Sequence, residues 1–298
     1  MAHDHTHHTN SSIASAFFLN LAFTIIEVIG GLYTNSVAIL SDALHDFGDS
    51  ISLGLAWGLE KYSKKKRDQR YTYGYGRFSL LSAFLNGLVL IIGSVFILIE
   101  TIPRLINPVQ PDAQGMIVLS VLGIIFNGLA VLKMRHGNTQ NEKVVMWHLF
   151  EDVLGWIAVL VASIVMYFYN IPILDPIISA AFTLFILYNV AKNFMNTSRI
   201  FLQAKPEHIN LESLEVKLLD INMVQEIYDL HLWTMDGERS VLTVHARLKA
   251  DTTVMKMMDI KKTIRNQCRE AGVDHMTIEL TFENEPIDFE DCIIIDKP

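Results

Sequence analysis

Six long apolar runs dominate this chain: Ile13–Leu32, Ser36–Leu59, Phe78–Ile99, Met116–Leu132, Val144–Phe168 and Ile173–Val190. Each approaches the roughly 20 residues an α-helix needs to cross a hydrocarbon core. One or two such stretches fit inside a water-soluble domain. Six in series, separated by short polar loops, leave no amphipathic surface for water to meet. The sequence therefore predicts six spanning helices over residues 13–200, with a short His-rich tail (residues 1–12) before them. The first run does not read as a cleavable leader, because Asn20 and Glu27 interrupt it and no small-residue cleavage site follows a short apolar core.

Charge divides the chain in two. Residues 1–200 carry 13 basic and 13 acidic side chains, and residues 201–298 carry 11 and 19, so the whole net charge of −8 sits in the last third. An acidic tail without a basic excess argues against a nucleic-acid partner, whose phosphates would want dense Lys and Arg. Cys268 and Cys292 form no CxxC pair and read as reduced cytosolic thiols. The loops after spans two, four and six hold twelve Lys and Arg, from Lys61 to Arg199, whereas the opposite loops hold only Arg104. Basic residues near a span are retained on the cytoplasmic side. Both termini and the acidic third are therefore expected in the cytosol, and the chain in the cell (inner) membrane.

Ionisable groups inside the spans carry the chemistry. Span two contains Asp42, His45, Asp46 and Asp49, and span five begins with His148, Glu151 and Asp152. An ionised side chain at bilayer depth costs a few kcal/mol, so such residues are functional by default. His45 and Asp49 stand four apart, which puts them on one helix face about 5–6 Å apart at Cβ. His148 and Asp152 repeat the spacing. Two facing HxxxD pairs supply two imidazole nitrogens and two carboxylate oxygens, a tetrahedral set suited to Zn²⁺, whereas four carboxylates would favour Mn²⁺. Asp42, Asp46 and Glu151 are expected to support the ligands or line a cavity. Asn20, Glu27 and Asn127 are expected either to make interhelical hydrogen bonds or to line the same cavity. His45 lies about 14 Å along its helix from the outer start of span two, but His148 only about 8 Å from Lys143. Span five must then start before Val144 or tilt, and its polar extension is expected to line a water-filled cytosolic cavity.

Four segments, SDALHDFGDS in span two, HLFED in span five, RYTYGYGR before span three and DPIIS at the start of span six, resemble the cation diffusion facilitator family, its zinc-exporting group in particular. The resemblance covers essentially the whole chain. It implies a homodimeric metal/proton antiporter with six helices per subunit and a cytosolic ferredoxin-like domain that dimerises and often binds metal. His45, Asp49, His148 and Asp152 match the family's transport quartet, with Zn²⁺ as transported substrate. Some members carry a further metal site in the loop after span two; here that loop offers Asp68, with Tyr71 and Tyr75 where two imidazoles would fall. Zn²⁺ requires neutral imidazole and ionised carboxylate, so its binding expels protons, and histidine titrates in the range where compartments differ. Export of Zn²⁺ against returning protons follows. The alternatives are a transporter of the same architecture for Cd²⁺, Co²⁺, Fe²⁺ or Mn²⁺, and an intramembrane metal hydrolase. The hydrolase would need an open coordination position and a general base, and no HExxH or nucleophile elbow is present.

From Pro206 the pattern changes to a helix at Leu211–Asp220, strands Val224–Trp233 and Arg239–Lys249, a helix Thr252–Ala271 and a strand Val273–Phe282. This αββαβ order predicts a small open sheet with helices on one face in a domain at 206–290, followed by a tail at 291–298. His231 and His245 fall on the paired strands and His275 at the start of the third, and together they are candidates for a regulatory cytosolic zinc site. Alternation turns His245 away from the core face that holds Val244 and Ala246. The HDHTHH tail could collect metal loosely. The basic run Lys64–Arg67 suits anionic lipid.

Overall fold

The computed structural model describes residues 6–134, 140–283 and 285, with side chains over residue 18 and residues 20–52, 54–55, 58–59, 62–132, 149–283 and 285. Most of the His-rich tail, the 291–298 tail with Cys292, and the side chain of His148 lie outside the described residues. The chain forms two compact units, residues 1–64 with 81–195, and residues 65–80 with 196–298.

The first unit is helical. Its elements are α1 (Thr6–Thr34), α2 (Val37–Ser63), α3 (Arg77–Ile106), α4 (Ala113–Met134), α5 (Gln140–Tyr169) and α6 (Leu174–Phe201), the last running on into the second unit. Helix α5 does begin before Val144, as the depth of His148 requires. Four helices are long and apolar enough to cross a membrane among the described residues: Arg77–Ile106, Ala113–Leu132, Leu149–Tyr169 and Leu174–Phe201. Helix α2 carries Asp42, Asp46 and Asp49 along its apolar run. Among the described residues of α1, Asn20–Thr34 forms a shorter apolar stretch. The helices expose Ile29, Leu32, Phe96, Ile99, Leu129 and Phe185, an outward apolar face that suits lipid rather than water.

Inside, α1 packs on α2 and α4 on α5. Phe23, Ile39, Met116, Trp156, Val159 and Met166 share one core. Phe23 of α1 stacks on Phe126 of α4 at 4.8 Å between centroids and meets Trp156 of α5 edge-on at 6.1 Å. Helix α4 comes this close because Gly123 has no side chain: a Cβ there would run into the Trp156 indole. Between membrane helices, where no hydrophobic drive remains, such close approach of small residues supplies the packing energy.

The second unit has the expected order: α7 (Leu211–Leu219), β1 (Val224–Thr234), β2 (Ser240–Leu248), α8 (Val254–Glu270) and β3 (His275–Phe282). Asn210 caps α7 by accepting from Ser213 N at 3.0 Å. The β1–β2 turn closes on Gly237, whose φ of 92° suits glycine, while Asp236 Oδ1 accepts from the amides of Glu238 and Arg239. Strands β1 and β2 are antiparallel and β2 and β3 parallel, giving a mixed sheet ordered β1-β2-β3. The parallel pair requires the crossover that α8 provides. Leu242, Val244, Ala246 and Leu248 alternate onto one face, where Leu214, Leu218, Ile260, Ile264 and Cys268 of the two helices cover them. His245 accordingly points off the core face.

Candidate metal centre

Helix α2 starts under outside control. Ser36 caps it, its Oγ accepting from Ile39 N at 3.2 Å. Asp175, at the start of α6 and 2 % exposed, supplies the remaining acceptors. Its Oδ1 accepts from Ser36 Oγ at 2.5 Å and from Ala38 N at 3.2 Å, and its Oδ2 from Val37 N at 2.9 Å. These are the amides that a helix N-terminus leaves without partners, and a carboxylate there also complements the helix dipole. One turn on, Ser41 Oγ lies 2.6 Å from Ser179 Oγ and 3.1 Å from Thr183 Oγ1, and Thr101 Oγ1 of α3 lies 3.0 Å from Ser179 Oγ. Hydroxyls thus tie α2, α3 and α6 together just before the acidic turns.

Those turns face α5. His45 Nε2 is 3.8 Å from Asp49 Oδ2 and 3.9 Å from Asp152 Oδ1. The side chains of His45 and Asp49 are each 28 % exposed and that of Asp152 10 %. Asp42 Oδ1 lies 3.8 Å from where a Cβ on Gly155 would stand, an ordinary contact that puts this α2 carboxylate beside α5. The pairs Asp42–Gly155 and His45–Asp152 step in opposite senses along the two helices, which fixes an antiparallel register. Three of the four expected ligands therefore come to one place. Among the described residues, no group of three or more His, Cys, Asp or Glu side chains is arranged so that it could hold a metal ion. Asp46 and Glu27 are buried and Glu151 is exposed. Asn20 of α1 resolves its two readings in favour of hydrogen bonding across helices: its Nδ2 donates to Asp46 O at 3.0 Å and to Ser50 Oγ at 3.1 Å.

The cytosolic histidines separate. His231 Nε2 lies 2.7 Å from Asp229 Oδ1, and His245 Nε2 lies 3.6 Å from both Asp229 Oδ2 and Glu279 Oε2. His275 is not with them. It opens β3 opposite Val241, four residues before Glu279, and meets the ring of Tyr73 edge-on at 5.8 Å. Parallel register, which pairs His245 with Glu279, is what moves it away. Asp229, absent from the sequence reading, sits at φ 49° in an irregularity between Tyr228 and His231. Asp tolerates that conformation better than most residues, but strand alternation alone gives no sign of the irregularity.

Asp68 is occupied within its own loop. Its Oδ1 accepts from the amides of Arg70 and Tyr71, both at 2.9 Å, and its Oδ2 from the Tyr75 hydroxyl at 2.6 Å, with Lys65 Nζ at 3.4 Å. The Tyr75 hydrogen bond, then the backbone amides, hold the Asp68 carboxyl down at about 2.

A bundle of apolar helices that brings a half-buried histidine beside carboxylates of two helices, followed by a small mixed-sheet domain, defines a membrane protein with ionisable groups inside its helical part. Comparison with known proteins gives the family. Residues 13–202 match the cation efflux transmembrane domain and residues 206–280 the cytoplasmic domain of cation efflux proteins, so the chain belongs to the cation efflux family. It is 32 % identical over 291 residues to the cadmium, cobalt and zinc/H(+)-K(+) antiporter of Bacillus subtilis (strain 168), covering 95 % of this chain and 93 % of that one. It is 30 % identical to the metal cation efflux system protein CzcD of Cupriavidus metallidurans (98 % and 92 % covered) and 30 % identical to the zinc transporter ZitB of Pectobacterium atrosepticum (95 % and 90 %).

Proposed function

We propose that this protein is a secondary transporter that exports Zn²⁺ from the cytosol in exchange for protons, through an intramembrane site formed by His45, Asp49, His148 and Asp152. The observation that carries this reading is the approach of His45 to carboxylates on both α2 and α5, at 3.8 and 3.9 Å. Ligands about 2.0–2.1 Å from a tetrahedral zinc stand roughly 3.4 Å from one another, so a contraction of about half an ångström would close these donors on the ion. Continuing the antiparallel register by one turn sets helix position 148 opposite position 49, which supports His148 as the fourth donor. The names of the relatives, among them a zinc transporter and a cadmium, cobalt and zinc/H(+)-K(+) antiporter, support a divalent transition metal as cargo.

The mechanism follows from the donor set. The metal binds only unprotonated donors, so its entry displaces whatever protons those donors carry. Exposing one site alternately to the two sides then couples metal export to proton return. Six spans per subunit, domain limits at 13–200 and 206–290, cytosolic termini, a ferredoxin-like cytosolic domain and a homodimer complete the proposal. His231 and His245 beside Asp229 and Glu279 are its regulatory zinc donors. The second reading, export of Cd²⁺ or Co²⁺ through the same donors, is favoured by the printed names of the relatives. The test is proton release: zinc added to purified protein in weak buffer should liberate protons, and His45→Ala should reduce that release. Equal release by both proteins overturns the assignment.

A further inference from the structure

The second unit contains a cavity of about 420 Å³ where the loop at residues 65–80 meets one end of the sheet. Arg67, Tyr73, Arg239, Ser240 and His275 line it, with Asp274 as the acidic member. The size falls within the range of small-ligand pockets. Most of its charged groups are already committed. Arg239 donates through Nε and Nη2 to Asp236 Oδ2, and Asp274 Oδ2 accepts from Ser240 N at 2.8 Å. Two groups stand out against that background. Ser240 is only 1 % exposed and its Oγ makes no hydrogen bond. A buried hydroxyl without a partner is costly and calls for an explanation. Arg67 is exposed in the basic run Lys64–Arg67, on a domain that is otherwise net acidic.

The loop is firmly set against the sheet. Arg77 Nε donates to Met235 O at 2.9 Å, Tyr73 meets His275, and Asp68 ties the loop to itself. Of the charged groups that line the cavity, Arg67 and Arg239 are basic and Asp274 is acidic. The cavity thus combines the exposed Arg67 guanidinium, a hydroxyl donor that lacks an acceptor and the His275 imidazole. That is the equipment for a phosphate oxygen group.

We infer that this cavity binds a phosphate-bearing anion, with Arg67 and the Ser240 hydroxyl as its principal donors. The phosphate could belong to a lipid headgroup or to a soluble ion. The experiment uses the full-length protein in phosphatidylcholine nanodiscs and follows its unfolding midpoint by tryptophan fluorescence. In one arm inorganic phosphate is titrated; in the other, phosphatidylglycerol replaces part of the lipid. Arg67→Gln and Ser240→Ala are compared with Lys66→Gln, which removes the same charge from the same run outside the cavity. Saturable stabilisation by inorganic phosphate, weakened roughly tenfold in Arg67→Gln and in Ser240→Ala but not in Lys66→Gln, assigns a soluble ion. The same pattern with phosphatidylglycerol alone assigns a headgroup. No stabilisation in either arm, or equal losses in Arg67→Gln and Lys66→Gln, overturns the proposal. Should Ser240→Ala fail to fold, the comparison of Arg67 with Lys66 decides it alone.

Discussion

Replacing Asp175 by Asn tests how α2 is held. The carboxylate accepts three hydrogen bonds, through Oδ1 from Ser36 Oγ and Ala38 N and through Oδ2 from Val37 N. Asn has the same shape but only one acceptor atom. In one orientation its amide NH₂ faces the Val37 N–H, donor against donor; in the other it faces Ser36 and Ala38. Either way at least one buried donor loses its partner, at about 1–3 kcal/mol. The charge that complements the α2 N-terminus is also lost, at about 0.3–1 kcal/mol. The sum is roughly 1–4 kcal/mol. Ser36→Ala removes one hydrogen bond to Asp175 and the cap on Ile39, and should cost about 1 kcal/mol. Because the two residues share a bond, the double variant should lose less than the sum of the singles. The assay is equilibrium unfolding in detergent, with zinc flux measured in parallel. Flux should fall as well, since α2 carries His45 and Asp49. Unchanged stability in Asp175→Asn, or strictly additive losses, would refute it.

Other substitutions probe separate parts of the account. Gly123→Ala drives a methyl into Trp156 and should destabilise the α4–α5 pair by about 1–3 kcal/mol, read by thermal unfolding; a neutral result would mean the helices can separate without cost. His45→Asp makes the donors carboxylate-rich and should shift transport preference from Zn²⁺ toward Mn²⁺, measured as a flux ratio. Burial pushes the Cys268 thiol up to about 11, so in a Cys292→Ser background a thiol reagent at neutral pH should label it only as fast as the domain opens. The Asp68 carboxyl is held at about 2 against an ordinary 3.8, so its folded form is the more acidic. Its contribution to loop order is full above the ordinary value and fades as pH falls through about 2, which the Tyr71 amide resonance should report.

Sequence patterns revealed what is periodic and local. The apolar runs, the His–Asp spacing of four and the αββαβ order each arise within one element, and the helices and strands lie close to where those patterns place them. What could not be seen there depends on residues far apart in the chain. Asp175 reads as an isolated acid at the start of an apolar run, and its role emerges only when α6 brings it to residues 36–38, more than 130 positions earlier. Asp229 reaches the imidazoles of His231 and His245 because β1 is irregular at Tyr228, and no propensity encodes that shift. Strand membership alone places His275 with those histidines. The register of β3 against β2 decides which strand residues are neighbours, and it chooses Glu279. Within α2 the sequence does identify the turns that face α5, because uncompensated acids in an apolar helix have few tolerable places to point.

Zinc flux into vesicles under an imposed pH gradient, comparing the unaltered protein with Asp49→Ala and Asp152→Ala, tests the donor assignment most directly. If α2 and α5 each give a carboxylate to one ion, both substitutions abolish gradient-driven flux while the folded protein remains in the membrane. Flux equal to that of the unaltered protein in either variant would contradict the account.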